Sequence, residues 1–158
     1  MGYATPIKKT TIHGGAITTG QGVRASLTTA LTGTNNDLVI TARDRLASGN
    51  NTTFRIVVAG ASTALSVSVT GTAITVNSAT DGASAATSTA AQVSAAILAN
   101  LAAAALVTTA NAASNDGTGV VTALSVTSLA GGVDYGIGSR NSGLGISTNR
   151  ALTAVRSV

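Results

Sequence analysis

Alternation of apolar and polar side chains with a period of two dominates the middle of this 158-residue chain. Leu38 and Ile40 alternate with Val39 and Thr41, predicting a strand over Asp37 to Ala42 with both faces apolar enough to be covered. A polar connection with turn residues follows, Arg43 to Asn51. Phe54, Ile56 and Val58 then share one face of a strand predicted over Thr53 to Ala59. Leu65, Val67 and Val69 against Ser66, Ser68 and Thr70 give the cleanest half-buried strand. Gly71-Thr72 joins it to Ala73–Asn77, a hairpin in which glycine supplies the positive φ.

The period changes after a small, polar loop from Ser78 to Ser88. Thr89 with Gln92 three residues on is a capping box, the pairing that satisfies two orphan amides at a helix start. A helix to about Ala105 is predicted, its inner stripe formed by Val93, Ile97 and Leu101 at i, i+4 and i+8, with Gln92, Ser94, Ala95 and Asn100 outward. Leu106-Val107-Thr108 starts a short strand, Asn115 to Gly119 is a strong turn, and Val120 to Leu129 is a last strand. The order reads as an α+β fold: a mostly antiparallel sheet with one alanine-rich helix packed on one face, flanked by extended N- and C-terminal arms.

The arms are residues 1–36 and 135–158, and the domain is 37–134. Both arms are rich in glycine and carry isolated apolar beads without a helical period, among them Ile7, Ile12, Ile17, Ile137 and Ile146. Such segments suit docking across a partner. Arg150 to Arg156 is expected to add as a terminal strand to a neighbour's sheet edge, since Thr153 and Val155 are β-branched, with a short helix as the alternative.

Charge follows the same division. Lys8, Lys9 and Arg24 in the first arm and Arg140, Arg150 and Arg156 in the last face no acid, whereas the middle sets Arg43, Arg45 and Arg55 against all five aspartates. The three segments carry +3, −2 and +3. This charge either keeps the arms soluble or makes head-to-tail contact between a basic arm and an acidic neighbour. The candidate assembly contacts are therefore Lys8, Lys9, Ile12, Arg24, Arg140, Ile146, Arg150, Val155 and Arg156. Three scattered cations per arm, without interleaved aromatics, fall short of a nucleic-acid surface.

Hydrophobic residues make up 44% of the chain but aromatics only 2%, so the core must be built from Val, Ile, Leu and Ala around the single Phe54. Without cysteine there is no disulfide, thiolate metal site or thiol nucleophile. His13 is the one histidine and lies in an arm, where nothing holds and orients it as a catalytic base. The Asp81-Gly82 and Asn115-Asp116-Gly117 turns lack the alternating ligands and bidentate glutamate of a calcium loop. Gly131-Gly132, Gly136-x-Gly138 and Gly143-x-Gly145 lack the third glycine and the strand-helix context of a dinucleotide loop. No enzyme, metal or cofactor is read from these residues. The N-terminus lacks the apolar core of a secretory signal, so a product kept or assembled in the cytosol is expected. The most apolar window, 90–107, carries Gln92, Ser94 and Asn100 and reads as a packed helix rather than a membrane span.

Four stretches of the middle resemble a module of tailed-bacteriophage virion proteins: Leu-Thr-Gly-Thr-Asn-Asn-Asp-Leu (31–38), Leu-Ser-Val-Ser-Val-Thr-Gly-Thr-Ala-Ile-Thr-Val (65–76), Ser-Thr-Ala-Ala-Gln-Val (88–93), and Asn-Asp-Gly-Thr-Gly-Val-Val-Thr-Ala-Leu (115–124) running on to Leu-Ala-Gly-Gly-Val-Asp (129–134). The resemblance covers roughly 100 residues and neither arm, and it brings no active-site residues with it. It implies a virion structural protein: a capsid decoration or cement protein, assembled in the host cytoplasm, on the outer capsid surface. Its partners would be the major capsid protein lattice and itself, as a homo-oligomer with a trimer expected, and no membrane. A tail-tube or other tail subunit is the alternative from the same particle. A glycan-binding adhesion module, resting on the Ser/Thr-rich sheet face, is the alternative of another class.

Overall fold

The computed structural model describes residues 22–134, and their class is the expected α+β. In chain order the elements are β1 (Ser26–Thr28), β2 (Leu38–Ala42), a short 3-10 helix (Ala47–Asn51), β3 (Thr53–Val57), β4 (Ser66–Thr70), β5 (Ala73–Asn77), α1 (Ala90–Ala99), α2 (Leu101–Leu106), β6 (Val107–Asn111) and β7 (Leu124–Ser128).

The strands form two sheets rather than one. An antiparallel sheet has the order β1-β2-β6, and a four-stranded sheet has the order β4-β5-β3-β7. In the latter β3 and β5 run parallel, with Arg55 beside Thr75, because the β4–β5 hairpin folds back and inserts its second strand next to β3. The folded unit also begins before residue 37. β1 pairs with β2 through Leu27 opposite Ile40, and Ala25 and Leu31 enter the core, so residues 22–36 belong to the domain and not to an arm. A three-residue strand followed by a glycine turn is too short to register as periodicity.

Inward-facing side chains from both sheets and both helices meet in one core. Phe54, Ile56, Ile74 and Val76 come from the four-stranded sheet, Leu38, Ile40, Ala42 and Val107 from the other, and Val93, Ile97 and Ala103 from the helices. Each large member contributes roughly 1.5–3 kcal/mol by leaving water. Alanines at 90 and 103 let the helix backbones approach the sheets closely.

The helix starts as expected and departs from expectation at Asn100. Thr89 Oγ1 accepts from the Gln92 amide at 3.3 Å while Gln92 Oε1 accepts from the Thr89 amide at 2.9 Å, completing the capping box. At Asn100 the backbone turns extended (φ −81°, ψ 109°). Its Oδ1 accepts from the Ala103 amide at 3.0 Å, starting a second helix, and its Nδ2 donates to the Val67 carbonyl at 2.9 Å. An asparagine that competes with the helical ladder in this way resets the helical phase. Leu101, expected on the inner stripe, is instead 87% exposed, and Ala103 takes the buried position.

A polar fastening joins two loops far apart in sequence. Asp37 Oδ1 accepts from the Leu31 amide (2.7 Å) and from Thr29 Oγ1 (3.1 Å), closing the 31–37 turn on itself. Buried Asn36 donates to the Thr32 carbonyl (2.8 Å) and across to the Val120 carbonyl (3.0 Å), and the Gly119 amide donates to the Asn35 carbonyl (2.9 Å). The same second loop supplies the start of α1: the Ala90 and Ala91 amides donate to the Gly119 and Gly117 carbonyls at 3.0 and 2.9 Å. With the capping box, three of the first amides of the helix are thus satisfied.

Gly119 is required by this approach, because an added methyl would lie 2.0 Å from the Thr34 carbonyl oxygen. Gly119→Ala is expected to lower unfolding free energy in urea by about 2–3 kcal/mol. Gly71→Ala, with φ +59° but nothing within 4 Å, should cost only about 1 kcal/mol. Equal losses in the two variants would refute the close-packing account.

The exposed Asp116 carboxyl is held below its ordinary value of 3.8, first by the side-chain hydrogen bond from Thr118 and then by the Thr118 amide. Hydrogen bonds to the charged form depress the pKa, so this support for the loop is present above the ordinary value and fades as pH falls through the lowered midpoint. Thr118→Val should raise the Asp116 midpoint in an NMR titration toward 3.8.

Candidate functional site

Three surfaces of the described unit are candidates. The first is where its two ends meet. Val23 and Val133 exchange both backbone hydrogen bonds (3.0 and 3.1 Å), as do Ser26 and Ala130 (2.8 and 3.0 Å), so residues 22 and 134 lie side by side. Asn50 reinforces the seam as a surrogate backbone unit, accepting from the Gly132 amide at 2.8 Å and donating to its carbonyl at 3.0 Å. Asp134 Oδ1 accepts from the Ala47 amide at 2.8 Å. Gly22 sits so close to the Arg45 carbonyl that a methyl there would lie 1.9 Å from its oxygen.

The second surface is the outer face of the four-stranded sheet. Strand alternation puts Thr53 and Arg55 of β3, Ala73 and Thr75 of β5, and Ser68 and Thr70 of β4 on this face, opposite the core residues Phe54, Ile74 and Val69. Register sets two rows across it, Thr53-Ala73-Thr70 and Arg55-Thr75-Ser68. Ala73 is the smallest side chain in its row. Its methyl leaves a dent of about 260 Å³ walled by Thr53, Thr70, Thr75, Arg55 and Val126, the last 61% exposed on edge strand β7. Arg55 Nε donates to Thr75 Oγ1 at 2.9 Å, tying the guanidinium to the neighbouring strand.

The third is the outward ridge of the helices, where Leu98 and Leu101 stand exposed among alanines. No charged residue occurs between Asp81 and Asp116, so the ridge is uncharged, with Gln92 exposed at its start. No helix among the described residues is long and apolar enough to cross a membrane.

Of the residues singled out from sequence, Arg24 is half-buried and donates an Nη1 hydrogen to the Ala42 carbonyl at 3.2 Å, tying it to its own domain. Lys8, Lys9, Ile12, Arg140, Ile146, Arg150, Val155 and Arg156 lie outside the described residues, as do His13 and the Gly136 and Gly143 motifs. The aspartates of the two turns close those turns: Asp81 Oδ1 accepts from the Ala83 and Ala85 amides (2.8 and 2.9 Å), and Asp116 Oδ1 from the amide and hydroxyl of Thr118. Among the described residues no group of three or more histidine and carboxylate side chains comes together.

The Arg55 dent went unnoticed in the sequence because it depends on the parallel β3–β5 pairing, which periodicity does not reveal. The available signal was a lone arginine between Phe54 and Ile56, facing away from the core. Comparison with family models, curated proteins and solved structures finds no match to this chain.

Asn50→Ala is expected to open the seam locally. Hydrogen exchange at the Val23 and Val133 amides should accelerate several-fold more than at Ile40 in the core. Acceleration of all three by one factor would mean that Asn50 supports the whole fold and not the seam.

Proposed function

We propose that the chain is a structural protein of a tailed-phage virion, a decoration protein that sits on the outer head lattice and clamps neighbouring capsomers by non-covalent contacts. The observation that carries this reading is the seam. Residues 22 and 134 are fastened together, so the two basic segments 1–21 and 135–158 are attached to the folded unit at one spot. A body with two basic, bead-bearing tethers at a single anchorage suits gripping a periodic surface, where each tether reaches a different neighbour. The resemblance of residues 31–134 to virion modules supports the same assignment.

Attachment through the tethers is electrostatic in part, so it is screened by salt. Lys8, Lys9, Arg150 and Arg156 replaced together by glutamine should weaken binding to undecorated heads at least tenfold at low salt, and flatten its dependence on ionic strength. Unchanged binding at every salt concentration would sink the tether mechanism.

Edge strand β7 of the four-stranded sheet favours one second reading, a tail subunit in which sheets join around a ring. Light scattering on the purified chain separates the two. A monomer or small oligomer, with the trimer expected, that then binds heads fits decoration, whereas spontaneous rings or tubes without heads fit the tail.

A further inference from the structure

We infer that the dent on the outer face of the four-stranded sheet is a binding site for an acidic sugar, a six-membered polyol ring bearing a carboxylate, with Arg55 as the group that takes the carboxylate. This goes beyond the structural role and does not depend on it.

Arg55 is the starting point. It is exposed in mid-strand, and the hydrogen bond from Nε to Thr75 is the one it makes among the described residues. That bond engages Nε and leaves the two Nη groups without a partner among the described residues, a fork able to receive a carboxylate with two parallel hydrogen bonds. The domain does not supply that carboxylate. Asp37, Asp44, Asp81 and Asp116 each accept from partners in their own turns, Leu31, Ser48, Ala83 and Thr118, and Asp134 accepts from the Ala47 amide at the seam; none is bonded to Arg55. The site therefore carries an uncompensated positive charge beside a concavity.

The rest of the wall decides what the carboxylate is attached to. Thr53, Thr70 and Thr75 stand around the dent, and each hydroxyl both donates and accepts. Three such groups within one small depression match a ligand carrying several hydroxyls better than an alkyl carboxylate. Val126 gives one wall an apolar surface for the C–H face of a ring, and the Ala73 methyl forms the floor. A volume of about 260 Å³ fits one monosaccharide unit. Without an aromatic platform a single unit should bind weakly, with Kd on the order of 1 mM. Repetition of the site on an oligomer or particle would raise the avidity for a polymer by two or more orders of magnitude.

The test is an NMR titration of the ¹⁵N-labelled full chain with sodium glucuronate, with glucose, acetate and a glutamate-containing peptide as comparison ligands. Glucuronate should shift the amides of Thr53, Arg55, Thr70, Ala73, Thr75 and Val126, glucose should shift none, and acetate should bind at least tenfold more weakly. Arg55→Gln should lower glucuronate affinity about tenfold and remove its salt dependence. Ala73→Val fills the dent with a residue of higher strand propensity, so it should abolish binding while leaving the spectrum folded. Three outcomes would overturn the proposal: acetate equalling glucuronate, which reduces the site to an ordinary surface cation; the peptide binding more tightly than the sugar, which assigns the face to a protein partner; or shifts that survive in Ala73→Val.

Discussion

The fold depends on the fastening of the 31–37 turn to the 115–120 loop. Without aromatic bulk, the core offers only branched aliphatics, alanines and one phenylalanine, and such side chains do not specify how two sheets and two helices are placed. Backbone recognition supplies that placement. Asn36 gives both its amide hydrogens to carbonyls, one within its own turn and one 84 residues away, while its Oδ1 has no partner among the described residues. A buried unmade acceptor costs about 1–3 kcal/mol, and it is set against two buried donated bonds and the closure of the longest loop that the node controls. Because the same loop carries the Gly117 and Gly119 carbonyls that receive the first helical amides, the helix and β2 are located by one device.

The two helical segments show how a single side chain redirects a pattern. Asn100 closes one helix, opens the next and grips the exposed rim of β4 through Val67. That rim would otherwise present a free carbonyl to any passing strand, so the kink also shields a sheet edge. Its consequence is the exposure of Leu101, which is the phase error produced by the break rather than a misplaced core residue.

Much of this was legible in the residues. Alternation located β2, β3, β4 and β5 to within a residue or two, and Thr89 with Gln92 marked the helix start, because these are local properties of neighbouring side chains. The larger departures were matters of long-range pairing, while the last strand, expected from Val120, begins only at Leu124. That β5 inserts beside β3, that residues 22–36 join the domain, and that the strands divide into two sheets depend on which segments meet, and period carries no such information. The asparagine break had a local cause, but Asn100 acts as it does only because the Val67 carbonyl lies within its reach. For the candidate surface the limit was the same: Arg55 is visible in the sequence, while the threonines around it converge from three strands.

The seam at Val23 and Val133 has a consequence for heredity. A unit whose entrance and exit are hydrogen-bonded neighbours occupies no more room in a host chain than a hairpin does, so it is a cassette that recombination can drop into a surface loop without separating the flanking residues. What is passed on intact in such a transfer is the Asn/Asp node together with the seam, since both are internal to residues 22–134.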